Sequence, residues 1–169
     1  MMIKAKSKKV EMLGNILLRA TSLSEPQLQE ALAIQSKEGG VLGDILIKKN
    51  YVSPPDLLKA LCEQLDLPFL EDLKPNEIDA ELVKDLPINY AKTKEVLPIS
   101  KIISQTDASK TVTVVIAVGN PFNLSVIEDL RVFMGCRIDV VVSTPNRIQD
   151  AINRVYERAT ANMITDIQD

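Results

Sequence analysis

Apolar residues recur at helical spacing along the first third of the chain, and they do so twice. In MLGNILLRATSLSEPQLQEALAIQ, residues 12–35, Leu28, Ala31, Leu32 and Gln35 fall at i, i+3, i+4 and i+7. In VLGDILIKKNYVSPPDLLKALCEQ, residues 41–64, Leu57, Ala60, Leu61 and Gln64 repeat the pattern. Each set is one face of a helix. Upstream, Leu13, Ile16 and Leu17, and then Leu42, Ile45 and Leu46, predict a shorter helix opened by a Leu-Gly pair, Leu13-Gly14 and Leu42-Gly43. Ser24 with Gln27 three residues on is a capping-box pattern. Ser53 has Asp56 in that place, where an acid suits the helix N-terminal dipole. Pro26, Pro54 and Pro55 fall in first turns, where a missing N–H costs nothing. Ten of the 24 aligned positions are identical, and SKEGG (36–40) separates the copies. Residues 12–67 therefore predict a helical subdomain of two tandem helix–turn–helix repeats.

After Leu67 the pattern changes. Residues 68–94 form a Pro-bounded connecting segment in which Ile78–Leu86 reads as a short helix. Residues 95–158 alternate strand and helix signals. EVLPISKII (95–103) and the β-branched TVTVVIAV (111–118) read as strands, with SQTDASK between them as a polar hairpin loop. Ser125 caps a helix that ends near Met134, with Gly135 after it. RIDVVV (137–142) is a third strand. Thr144-Pro145 opens a last helix with Ile148, Ala151, Ile152 and Val155 on one face. The fold class expected is α+β: the repeat subdomain followed by a small α/β sandwich of about three strands and two helices. TANMITDIQD at the end reads as a frayed helix or a linker.

Composition narrows the function. The chain has 169 residues, 46% hydrophobic and 25% charged, and a net charge of −3. That balance fits a globular protein and argues against nucleic-acid binding, which needs a basic stripe. KAKSKK (Lys4–Lys9) lies in a basic tail, residues 1–11, read as solvated and flexible, with a partner-binding or anionic-lipid arm as the alternative. Cys62 and Cys136 make no metal or disulfide pattern, which favours a reducing cytosol. No apolar run is long enough to insert in a membrane. Histidine is absent, which removes the commonest general base and metal ligand, and no GxxxxGK[ST] occurs, so no catalytic residue and no metal ligand is expected. Binding or assembly is the expected role.

Four landmarks in order carry a resemblance: LGDIL…LLKALCEQLDLPFL, IDAELVKDLP…VLPI, VTVVIAVGNPFNLSVIEDLRVFMG and IDVVVST…IQDAINRVYER, together about residues 12–158. The chain resembles the N-terminal domain of type II secretion and type IV pilus assembly ATPases, the GspE/PilB/MshE type. The resemblance implies a cytoplasmic, non-catalytic docking and regulatory domain ahead of a P-loop motor in cis. Its implied partner is the cytoplasmic part of an inner-membrane platform protein of the GspL type, with no direct membrane insertion. Residues 159–169 then read as a linker toward that motor.

The MshE branch implies a second function, with cyclic di-GMP as regulatory ligand of the tandem units. The positions that match that branch's motif are Leu13, Gly14, Leu17, Leu28, Leu32 and Gln35, and Leu42, Gly43, Leu46, Leu57, Leu61 and Gln64. The motif's opening arginine is replaced by Met12 and Val41, and its tenth position, usually glycine, by Thr21 and Asn50. The residues also admit a reading without ligand. Leucines at this spacing are core, the glycines allow close helix approach, and the glutamines satisfy loop carbonyls.

Overall fold

The computed structural model describes residues 11–168, and the basic stretch expected as a tail lies outside them save Glu11. The chain is α+β, in two compact units that divide between Leu67 and Pro68.

The first unit is four helices: α1 Leu13–Ala20, α2 Glu25–Glu38, α3 Leu42–Lys48 and α4 Pro54–Leu65. The caps read from sequence start the longer ones. Ser24 Oγ accepts from the Gln27 N–H while Gln27 Oε1 accepts from the Ser24 N–H, so the capping box closes. Ser53 Oγ accepts from the Asp56 N–H at 3.3 Å. The core is built from repeat-equivalent residues: Leu17 with Leu46, Leu23 with Val52, Leu28 with Leu57 and Ala31 with Ala60, all buried. Helix α1 packs on α4 and α2 on α3, so each copy covers the other's apolar stripe.

The second unit holds a three-stranded sheet in order β1-β2-β3: β1 Val96–Thr106, β2 Ser109–Val118 and β3 Arg137–Val142. Strands β1 and β2 are antiparallel; β2 and β3 are parallel, joined through α6, Leu124–Met134. Helix α7, Pro145–Gln168, packs on β1 and β2 through Ile148, Ala151, Ile152 and Val155, all fully buried. Strand β3 is held on its outer side by residues 68–70. The Leu70 N–H donates to the Val142 carbonyl at 2.8 Å, the Val142 N–H to the Pro68 carbonyl at 2.8 Å, and buried Ser143 Oγ to the Leu70 carbonyl at 2.8 Å.

Four expectations need correction. The helix expected over Ile78–Leu86 is absent: two 3-10 turns, Pro75–Glu77 and Ala80–Val83, stand in this region. The guanidinium of Arg158 donates to the Ile78 carbonyl at 2.8 Å, and the Leu82 N–H donates to the Asp79 carbonyl three residues back, the spacing of a 3-10 turn. A helix not expected, α5 Ile88–Lys94, follows; it buries only Ala91, so its sequence shows no stripe. The loop SQTDASK is mostly strand: pairing runs to Thr106–Ser109 and leaves only Asp107 and Ala108 as the turn. Ser125 is not a cap, since α6 begins at Leu124 and Ser125 Oγ donates to Asn123 Oδ1 at 3.1 Å. Of the two readings of the last stretch, frayed helix or linker, the helical one is seen: α7 continues to Gln168.

Candidate functional site

The twelve motif residues all lie in the first unit, and they fall into three environments. Leu17, Leu28, Leu46 and Leu57 are core. Leu13, Leu42 and Leu61 are partly buried against that core, while Leu32 sits at its margin, 37% exposed. Gly14 and Gly43 lie under the leucine of the following helix. A Cβ on Gly14 would come 3.1 Å from Leu28 Cδ2, and one on Gly43 2.9 Å from Leu57 Cδ2. A side chain at either position would have to displace the leucine's methyl groups, further at Gly43 than at Gly14.

The two glutamines are engaged in related ways. Gln35 Nε2 donates to the carbonyl of Gly40, the residue just before the second copy, at 3.1 Å. Gln64 Nε2 donates to the carbonyl of Glu11, the residue just before the first copy, at 3.4 Å. Each copy thus ends by holding the start of the other, a two-fold exchange.

The positions that depart from the motif have structural answers. Met12 and Val41 are the N-cap residues of α1 and α3; neither side chain makes a cap hydrogen bond, and they are 71% and 64% exposed. Asn50 keeps the left-handed backbone for which glycine is suited, at φ 59, which asparagine tolerates. Thr21 does not: it is extended, and its hydroxyl donates to the Leu17 carbonyl at 2.6 Å to close α1.

A charged group that the motif reading missed lies beside Gln64. Arg19 donates to Glu11 at 3.1 and 2.8 Å and also to Glu63. The hydrogen bond from Arg19 holds the Glu11 carboxyl below the usual carboxylate range, and the two carboxylates raise the guanidinium. The only trace in the sequence is a basic residue at position eight of both copies, Arg19 and Lys48. Between the copies, Glu30 of the first accepts from the Tyr51 hydroxyl of the second at 2.6 Å and pairs with its Lys49. Among the described residues no group of three or more Cys, Asp or Glu is placed to hold a metal ion, and no helix is long and apolar enough to cross a membrane.

Residues 65–162 match the MshEN domain. The chain belongs to the MshEN domain family. The solved structure of MshE with cdg, cyclic di-GMP, is similar at 31% identity and a TM-score of 0.64, over 86% of this chain and 99% of that one. The N-terminal domain of XpsE shares the fold, at 19% identity and a TM-score of 0.52 over 84% of this chain and 92% of that one. Type IV pilus assembly ATPase PilB of Myxococcus xanthus (strain DK1622) is 27% identical over 144 residues, which is 85% of this chain and 24% of PilB. The MshEN chain therefore spans about a quarter of that relative's length.

Proposed function

We propose that this MshEN chain is a non-catalytic docking and regulatory domain of a secretion or pilus ATPase. It binds the cytoplasmic part of an inner-membrane platform protein of the GspL type and couples it to a motor in cis, at the cytoplasmic face of that membrane. The observation that carries this reading is the state of the repeat. Its leucines are core, its glycines are wedged beneath them, and both glutamines are bonded to backbone carbonyls. The motif is thereby spent on building a framework, and the role passes to the outer surface. The test is sedimentation of the chain with its cognate platform domain: a complex at micromolar concentration is expected, and none overturns the reading.

A second reading, a cyclic di-GMP sensor, is favoured by the likeness to MshE with cdg and by the two-fold exchange of the glutamines, which suits a two-fold ligand. Against it stand the exposed apolar side chains of Met12 and Val41 where arginines would hold guanine or phosphate, and the Glu11 and Glu63 carboxylates beside Gln64. Calorimetry with the dinucleotide decides between them. Binding that Gln35→Ala and Gln64→Ala both weaken supports the sensor. A dissociation constant above about 100 μM, only ~5.5 kcal/mol of binding, rejects it.

A further inference from the structure

The sheet of the second unit is covered on one face for only part of its length. Alternate residues of β2 share a face. Ile116 and Val118 on that face are buried, whereas Val112, two positions beyond Val114, is partly open and its cross-strand neighbour Ile103 is 53% exposed. Beside this uncovered end lies a groove of about 590 Å³. Its floor is Val112 and Val114. Its walls are the stretch from Glu81 to Leu86 and the end of α6 at Phe133 and Met134. Phe133 is 54% exposed at its lip, so the apolar surface runs from Ile103 across the groove to α6. A volume of this size holds several side chains, and a sheet face left open in a two-layer fold is closed by a helix.

The groove also carries a charge signature. Glu81 and Asp85 stand in one wall, and neither is in a salt bridge among the described residues; Lys101, the cross-strand neighbour of Val114, stands beside the floor, likewise without one. A floor of two valines with two carboxylates in one wall against a single lysine leaves the lining net acidic, which favours an apolar stripe flanked by cations.

We infer that this groove docks an amphipathic helix of a partner protein, with leucine-type residues toward Val112 and Val114 and basic residues toward Glu81 and Asp85. The inference rests on the docking reading and gives it a place. Each basic contact is formed at the rim, so it sets partner choice and association rate, while the apolar stripe sets residence.

Cys136 lines the groove and is half-buried, whereas Cys62 is 2% exposed, so maleimide alkylation of Cys136 in the full chain reports occupancy. The probes are a 16-residue amphipathic Leu/Lys helix, its Lys→Glu counterpart and a scrambled Leu/Lys peptide. The Leu/Lys helix at about 100 μM is expected to slow alkylation at least tenfold, and the other two to leave it unchanged. The Glu81→Gln, Asp85→Asn double variant, checked for an unchanged melting temperature, is expected to lose that protection. Four results overturn the inference: no protection, equal protection by the acidic or scrambled peptide, protection that rises with the chain's own concentration, and protection by lipid vesicles alone. Failure of the docking reading is seen separately. A platform complex that forms with Cys136 still fully reactive overturns the groove and leaves docking intact. Absence of any complex overturns docking, and the peptide result then decides the groove alone.

Discussion

Gly43 sits beneath Leu57 so closely that a methyl group on it would meet the leucine at 2.9 Å. The same pair one repeat earlier, Gly14 and Leu28, leaves 3.1 Å. Leu57 and Leu28 are both buried and have little room to withdraw. Alanine at either glycine gains up to about 1 kcal/mol of helix propensity and loses about 1–3 kcal/mol to overpacking. Gly43→Ala is expected to be net destabilising and worse than Gly14→Ala. Urea midpoints of the two variants check the order, and a reversal would mean that the helices separate freely.

Asn50 and Thr21 occupy equivalent repeat positions with different backbones. Asn50→Gly is expected to leave stability unchanged or raise it, and Asn50→Ala to lower it by about 1–2 kcal/mol, the cost of a left-handed alanine. Thr21→Gly is expected to be destabilising, because it removes the hydroxyl bond to Leu17 and loosens an extended residue. Thermal melts of the three variants separate the two environments.

Arg158 gathers the carbonyls of Pro75, Ile78 and Asn76 at 2.6, 2.8 and 3.4 Å. Two of these bonds are part-buried and the one to Asn76 is exposed, and a charged donor to such carbonyls contributes at most about 1.5–3 kcal/mol. Arg158→Ala is expected to cost that much, and Arg158→Lys to recover little of it, because an ammonium cannot span three acceptors as a planar fork does. Hydrogen exchange at the Leu82 amide is expected to rise in both variants; protection preserved in the lysine variant would refute the fork.

Burial pushes the Cys62 thiol from 9.0 up to about 11 and the Tyr156 hydroxyl from 10.0 up to about 12. The unfolded chain therefore releases these protons at lower pH than the folded one does. Stability is fully present below pH 9 and falls as pH rises, across 9–11 for Cys62 and 10–12 for Tyr156. Denaturation midpoints from pH 8 to 11.5 are expected to show this fall. Tyr156→Phe, which also loses the bond to the Leu86 carbonyl, is expected to flatten the upper part, and Cys62→Ala the lower.

The first unit was legible because its signals are local. Ser24, Ser53 and the prolines after them start helices through bonds three residues long, and the stripe of Leu28, Ala31 and Leu57 names its own core. Ile148, Ala151, Ile152 and Val155 were legible on α7 for the same reason. The turns at 75–83 were not, because their carbonyls are held by Arg158, some 80 residues away in sequence. The hairpin was read, but its strand ends at residues 104–106 and 109–110 were not, because these residues are exposed on both faces and show no apolar alternation. At the candidate site, the sequence supplied the two glutamines, while their acceptors before the opposite copy and the link of Arg19 to Glu63 depend on how the copies meet.

The bond from Ser143 to the Leu70 carbonyl joins residues 73 apart. During synthesis the repeat unit has all its partners once residue 67 has left the ribosome. Residues 68–70 must wait for β3 to be made, on the order of ten seconds at typical elongation rates. From residue 118 until β3 is made, the nascent chain carries a finished helical unit followed by a β-hairpin with one edge of β2 open, so a chaperone acting on this protein meets two strands of a three-stranded sheet.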